Sequence, residues 1–526
     1  MKNVIQKFAG LLTDLSRKEY FPFAMRIASV FLFIVVIATL FYGSIRVLSY
    51  SFTSKAAMIA VWTLWWPFLY ITLFFFARLW CGFLCPLSFA NEAGNYLHKG
   101  KAVDYRKWAF VPFVLFFLIV YFEQVSGLFL SVSITLFLFV LSFLVSFLVG
   151  VILPRWSFCK LVCPIGTLLG VFSRLSIIGL RTKRDVCDKC TNRVCLVGGK
   201  ANPCPMYNNV PTIESNKDCL LCANCIKNCP NDSARITMVS PGEEIKRKIG
   251  FTLSESYFIV ALFGMAFVLT TNGTLLARKV LDLFSIVLNG PLLKAADFFV
   301  GVGLFVVAFT LLGYLCARLM KVKLSHFLSE SGYYYLPTVF FIMFYTIFFG
   351  FLGPLLHVKD VVILVSKYVF LSVGVLWSAY LIKEMCSNRK VRALQLLFLA
   401  LIAVLWGGVL IQDSFHIVAE KERQVVVKSG ETVSLTAYSM GFDPAVIVAE
   451  KGAHVVMNVT NKDITHAFDI EKFGVHYILK GGSTMRVMFT PNETGEFEFH
   501  CSIPGHTEAG MKGKLIIVDK FEGNTK

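Results

Sequence analysis

Apolar runs of about 20 residues recur along most of this chain, and each is long enough to cross a bilayer core of about 30 Å. They fall near residues 24–43, 56–77, 108–125, 127–153, 252–270, 298–317, 334–353, 362–382 and 393–412. The 56% hydrophobic composition and the 51 phenylalanines of the 526-residue chain follow from them. The fold class is a polytopic α-helical membrane protein of about nine spans. The stretch 280–293 is apolar but short, which suits a re-entrant or interfacial piece. Val4, Phe8, Leu11, Leu12 and Leu15 recur at helical spacing among charges and predict an interfacial helix leading into the first span. No small-residue cleavage site follows that span, so it reads as a retained helix.

The net charge of +18 invites a nucleic-acid reading, but no groove-reading motif accompanies it. Membrane topology accounts for it better. Arg155, Lys160, Arg174, Arg181, Lys183 and Arg184 crowd the segment 154–184, which holds no acidic residue, and Lys383, Arg389, Lys390 and Arg392 gather in 383–392. The positive-inside rule assigns both to the cytoplasm, against the mild violation of Arg278, Lys279 and Lys294 outside. The expected organisation is a four-span membrane domain (1–184), a cytoplasmic cysteine-rich module (185–245), a five-span domain (246–412) and an extracytoplasmic domain (413–526). The N-terminus is then cytoplasmic, and the expected location is the inner (plasma) membrane.

The 15 cysteines are patterned. Residues 219–230 read CLLCANCIKNCP, a C-x2-C-x2-C-x3-C-P run in which three thiolates wrap a cubane and the fourth departs to a second one. Upstream, CDKCTNRVCLVGGKANPCP is a looser version. Two-cluster logic groups Cys187, Cys190, Cys195 and Cys229 around one 4Fe-4S centre, and Cys204, Cys219, Cys222 and Cys225 around the other. An internal repeat adds RLWCGFLCPLS and RWSFCKLVCPIG, each at the end of a pair of spans. Pro86 and Pro164 disfavour helix at Cys85 and Cys163, so each motif marks a helix ending at the same depth. Cys81, Cys85, Cys159 and Cys163 are then candidates for an additional site: a metal, a further cluster or a redox-active thiol pair. Cys316 and Cys386 fit no pattern.

These motifs resemble the polyferredoxin-type membrane proteins of the NapH, NosR and CcoG group over about residues 20–235. The resemblance implies electron transfer connected with respiratory enzymes or metal-centre assembly.

From 424 onward the pattern changes to short alternating strands separated by Gly, Pro, Asn and Asp turns, as in a Greek-key β-sandwich of about 100 residues. In EFEFHCSIPGHTEAGM, strand parity puts Phe497, Phe499 and Cys501 on one face and His500 on the other. A turn at Pro504-Gly505 lets His506 return towards the sulfur, Met511 approaches from a third side, and His466 of NKDITHAFDI supplies the missing imidazole. Two imidazoles, a thiolate and a weak thioether are the ligand set of type 1 copper. The tail resembles a cupredoxin. The binuclear centre of cytochrome oxidase subunit II needs a second cysteine, which Ile503-Pro504-Gly505 does not supply. His454 and His476 read as solvated or hydrogen-bonded.

The leading function is electron transfer between cytoplasmic 4Fe-4S clusters and an extracytoplasmic type 1 copper, as a component of a respiratory redox chain rather than a stand-alone enzyme. Its expected partners are membrane lipid and redox proteins on both sides, with quinone as one candidate for bridging the slab, since no haem motif is present. The rivals are a copper-handling or copper-reducing assembly factor and a quinol-oxidising subunit of a larger complex.

Overall fold

A computed structural model describes residues 2–18, 20–45, 57–98, 107–126, 128, 131–271, 290–355, 360–422, 424–438, 441–462, 465–503, 506–507 and 511–520. Most of the expected short stretch 280–293 lies outside them. Among the described residues, nine apolar helices correspond to the nine expected runs: Tyr20–Ile45, Ile59–Phe76, Val111–Ser126, Val132–Ile152, Leu253–Thr271, Gly290–Met320, Leu336–Leu355, Asp360–Met385 and Arg389–Glu422. Among the described residues, eight helices are long and apolar enough to cross a membrane. Val111–Ser126 is the shorter one, and its 16 residues rise only about 24 Å. The helix Ile59–Phe76 opens with a π-helical stretch, Ile59–Trp65.

The two C-x3-C-P motifs repeat in backbone as well as in sequence. Each begins at a residue in the left-handed region, Ala77 (φ 48°) and Arg155 (φ 57°), four positions ahead of the first cysteine. A five-residue helix follows in each (Leu79–Phe83 and Ser157–Leu161) and carries that cysteine. The second cysteine is extended, with ψ 116° at Cys85 and 108° at Cys163, as a residue before proline must be. Proline then occupies the first turn of the helices Pro86–Asn95 and Pro164–Phe172, where its missing N–H costs nothing. Close packing locks the first of these onto Val132–Ile152. A side chain on Gly94 would meet Phe147 O at 2.2 Å, and one on Gly150 would meet Asn91 O at 2.2 Å. Asn91 Nδ2 donates to Ser146 O (2.8 Å) and Ser146 Oγ donates to Leu87 O (2.7 Å), so both donors are paired across the helix contact.

The cysteine-rich module is flanked by strand β1 (Ile178–Arg181), which pairs antiparallel with β2 (Arg235–Met238). The N-terminal helix Lys2–Arg17 does more than lie at an interface: it docks on this module. Thr13 Oγ1 accepts from Ile236 N (3.0 Å), Ala9 is 1% exposed, and Arg17 pairs with Asp232. Its apolar face therefore has a protein surface to cover. Arg174, counted above as a topology-setting charge, is also buried. Its guanidinium donates to Ile249 O (2.7 Å), Gly250 O (3.1 Å) and Glu255 Oε2 (3.2 Å). Glu255, 1% exposed, also accepts from Lys217 and from Tyr333 Oη, so it joins the module to the second group of membrane helices.

The tail is a β-sandwich whose described residues form ten strands: β3 (Gln424–Val427), β4 (Thr432–Tyr438), β5 (Gly441–Asp443), β6 (Val446–Glu450), β7 (Val455–Asn461), β8 (His466–Ile470), β9 (Val475–Leu479), β10 (Thr484–Phe489), β11 (Gly495–His500) and β12 (Lys512–Val518). One sheet runs β10-β7-β4-β5 and the other β3-β6-β12-β11-β8-β9. Phe442, Phe468 and Phe499 meet between them with ring centroids 5.4–5.6 Å apart, which fixes the end of the sandwich where β8 and β11 present their histidine and cysteine.

Candidate metal centres

His466 opens β8 and Cys501 follows β11 directly, so two neighbouring strands deliver a nitrogen and a sulfur to the same end of the sheet. His466 and Cys501 are fully buried and His506 is 1% exposed. Their ligand atoms all lie within 4.8 Å of one another, and among the described residues no other set of three His, Cys, Asp or Glu does so. The two Nδ1 atoms stand 2.9 Å apart, and His506 Nδ1 lies 3.3 Å from the sulfur. Either one imidazole donates its proton to the other, or both aim lone pairs at a cation. A thiolate with two imidazoles favours copper in either oxidation state.

The loop after Cys501 is held by its backbone. Cys501 N donates to Met511 O (3.1 Å), Met511 N to His506 O (2.9 Å) and His506 N to Ile503 O (3.0 Å). Met511 is fully buried in the same apolar core. Pro504 and Gly505, the expected turn, lie outside the described residues. His500 faces away, 3.9 Å from Glu471. Ala467 N donates to the cysteine sulfur at 3.1 Å, and buried Asp469 accepts from Ser502 N (3.1 Å) through one oxygen and contacts His476 Nδ1 (2.9 Å) through the other. Asp469 escaped the sequence reading. Its signal was an acid in a strand whose five residues are all inward or covered, which only the neighbouring β11 makes necessary.

In the cysteine-rich module the cysteines interact electrostatically in two sets. Cys195 lies beside Cys229, Cys187 and Cys190, and Ser233 bridges Cys187 Sγ and Cys229 Sγ at 3.2 Å each. Cys219, Cys222 and Cys225 lie beside one another and beside Cys204, and burial pushes the Cys219 and Cys222 thiols up to about 12. Such thiols stay protonated unless a cation takes their charge, so buried sulfurs in this number fit metal ligation. Cys225 and Cys195 feel each other across the two groups. Cys81, Cys85, Cys159 and Cys163 also converge, each within electrostatic reach of the other three. Cys316 is buried elsewhere, 3.5 Å from Gln395 Nε2.

A family model described as a cupredoxin-like domain matches residues 398–517, and one described as a 4Fe-4S binding domain matches 58–102 and 135–183, the two segments with the C-x3-C-P motifs. The chain joins segments that match a 4Fe-4S binding domain to a C-terminal cupredoxin-like domain. Its curated relatives divide the same way. An uncharacterised protein of Methanocaldococcus jannaschii is 28% identical over 239 residues, 44% of this chain and 87% of its own length. Ferredoxin-type protein NapH of Escherichia coli is 25% identical over 30% of this chain, which spans 62% of NapH. Cytochrome c oxidase subunit 2 of Thermus thermophilus is 29% identical over 18% of this chain and 73% of its own. Among solved structures, auracyanin B (19% identity, 18% of this chain, 93% of that one) and the periplasmic domain of cytochrome oxidase subunit II from Bradyrhizobium japonicum (22%, 19% and 91%) both align at a TM-score of 0.16. The cupredoxin assignment stands on the strand order and the matched residues, not on those scores. Together with the membrane helices, the iron–sulfur and cupredoxin domains make this a membrane electron-transfer protein.

Proposed function

We propose that the chain passes electrons between two cytoplasmic 4Fe-4S clusters and an extracytoplasmic type 1 copper, within a respiratory redox chain of the inner membrane. Cys187, Cys190, Cys195 and Cys229 would hold one cluster, Cys204, Cys219, Cys222 and Cys225 the other, and His466, Cys501, His506 and Met511 the copper. Both kinds of centre supply one-electron chemistry when bound. The protein's part is to bury their ligands, fix their spacing and exclude water.

The observation that carries this reading is the closed triad of His466, Cys501 and His506 on a sandwich that shares one chain with two adjoining cysteine quartets. A single cysteine in the loop supports a mononuclear centre. Orientation rests on the basic segments at 154–184 and 383–392, which favour the cytoplasm, so that the module lies inside and the sandwich outside. The partners are then redox proteins on each face, with quinone a candidate carrier across the slab.

The test uses the full chain purified in detergent. Copper should be tightly held with an intense thiolate absorption, and Cys501→Ser should abolish that absorption while leaving the reduced-cluster EPR signals intact. Pale, readily exchanged copper would instead favour metal delivery, and an unchanged spectrum in the variant would remove Cys501 from the site.

A further inference from the structure

We infer that the set of Cys187, Cys190, Cys195 and Cys229 is the module's electron port, and that the basic loop around it docks a small acidic one-electron carrier protein. This rests on the reading above and names the partner on one face. The two cysteine sets differ in access. Cys219, Cys222 and Cys225 are 7–9% exposed, and of their set only Cys204 is half-buried. Their loop is also walled in by the membrane domain: a side chain on Gly82 would stand 2.3 Å from Leu220 O and 2.8 Å from Cys222 N. Arg26 of the first span closes the same point by donating to Gly82 O at 3.1 Å. Cys187, Cys190, Cys195 and Cys229 are all half-buried instead. Cys195 and Cys225 interact across the sets, so the enclosed set is reached through the accessible one.

The loop that supplies three of the four accessible cysteines is basic. Residues 183–200 carry Lys183, Arg184, Lys189, Arg193 and Lys200 against Asp185 and Asp188, and all of these are exposed. Glu214 takes up Arg184 at 2.8 Å. Lys189, Arg193 and Lys200 join no salt bridge among the described residues. An exposed lysine ordinarily does no more than solvate a surface, but these cations alternate with the sulfurs: Lys189 lies between Cys187 and Cys190, and Arg193 between Cys190 and Cys195. The short helix Val194–Val197 then sets an apolar side chain among them. Val197 is 73% exposed, two residues after Cys195, and among the described residues of 178–246 no other large hydrophobic is exposed. An apolar contact inside a charged rim is the anatomy of a protein interface.

Charge complementarity sets the sign of the partner. A carrier with carboxylates around its own redox centre is drawn to Lys189, Arg193 and Lys200, and such steering raises association rates by about 10- to 1,000-fold at low salt. An anionic lipid headgroup would answer the same cations, but it exchanges no electron with the accessible set, so the carrier is the favoured occupant. These residues dock and orient the carrier; one electron then passes between its centre and the module, and no bond forms or breaks.

The test uses the detergent-purified full chain and a 2Fe-2S ferredoxin of strongly negative net charge as the probe. Binding is titrated first, because it needs no electron transfer. Affinity should fall steeply as salt rises and shortens the reach of the charges. Lys189→Glu with Arg193→Glu and Lys200→Glu should weaken binding at low salt by about 10-fold or more. Stopped-flow reduction by the same ferredoxin should slow in parallel, whereas reduction by the cationic methyl viologen radical should be unchanged or faster. If Arg193→Glu disturbs the cysteine loop, Lys189→Gln with Lys200→Gln lies outside the ligands and should still weaken binding severalfold. Salt-independent binding, unchanged affinity in both variants, or equal slowing with both reductants would overturn the inference. So would a charge effect seen only with vesicles of anionic lipid and not with the ferredoxin. Failure of the wider reading looks different, because the cluster EPR signals would then be missing from the unsubstituted chain.

Discussion

Replacing Asp469 with alanine tests whether the copper loop is positioned from outside its ligands. The carboxylate is 4% exposed and makes two contacts of unequal weight. One oxygen accepts from Ser502 N, next to Cys501, at 3.1 Å, and the other meets His476 Nδ1 at 2.9 Å. A hydrogen bond to a buried charged group contributes about 1.5–3 kcal/mol. The His476 contact contributes far less, because that side chain is 61% exposed and water competes for it. Loss of the Ser502 contact frees the residue after the cysteine, so Asp469→Ala should weaken copper retention by about 10- to 100-fold, as such outer-shell losses do. Asp469→Asn keeps an acceptor for Ser502 and should fall between, and His476→Ala should change little. The assay is competition with a soluble Cu(I) chelator on the full chain, followed by the thiolate absorption after reoxidation. Equal retention in Asp469→Ala and the unsubstituted chain would refute the argument, as would a His476→Ala defect as large as that of Asp469→Ala.

Two further outcomes probe the seam between the module and the membrane. Glu255→Ala removes the carboxylate at 3.2 Å from Arg174, 1% exposed at its side chain, and leaves it Glu244 at 3.7 Å, so it should cost less than the about 3–5 kcal/mol of a fully unpaired buried charge, read as a lower melting temperature in detergent. An unchanged melting temperature would mean that the pair carries no net burden in the folded state. Gly82→Ala drives a methyl into the backbone of Leu220 and Cys222, which no side-chain rotation relieves, so the iron proposed for the Cys204, Cys219, Cys222 and Cys225 quartet should fall. Full iron content in that variant would show that the two backbones separate easily.

How much of this was legible depended on how local the constraint was. The C-x2-C-x2-C-x3-C-P run, the prolines after Cys85 and Cys163 and the alternation around Cys501 act within a few residues, where chain geometry leaves few choices. Arg174 was only partly legible because its pairing is decided elsewhere: among clustered cations it reads as a topology signal, and Glu255, 81 residues away in sequence, also takes it into the interior. The N-terminal helix has the same history, since the apolar stripe of Lys2–Arg17 fits a lipid surface or a protein one, and only the bond from Ile236 to Thr13, across 223 residues, chooses the second.

The amino-acid order thus fixes by itself that the chain crosses a membrane, which sulfurs and imidazoles are offered and at what local spacing, because bilayer thickness and backbone periodicity act on neighbouring residues. Tertiary structure alone decides that Arg78 is buried beside Cys81, Cys159 and Cys163, that the backbone at Gly82 lies against that of Cys222 and that Asp469 holds Ser502. Each joins residues far apart in the chain, and a buried charge or a backbone contact acquires its partner only when the chain has closed around it.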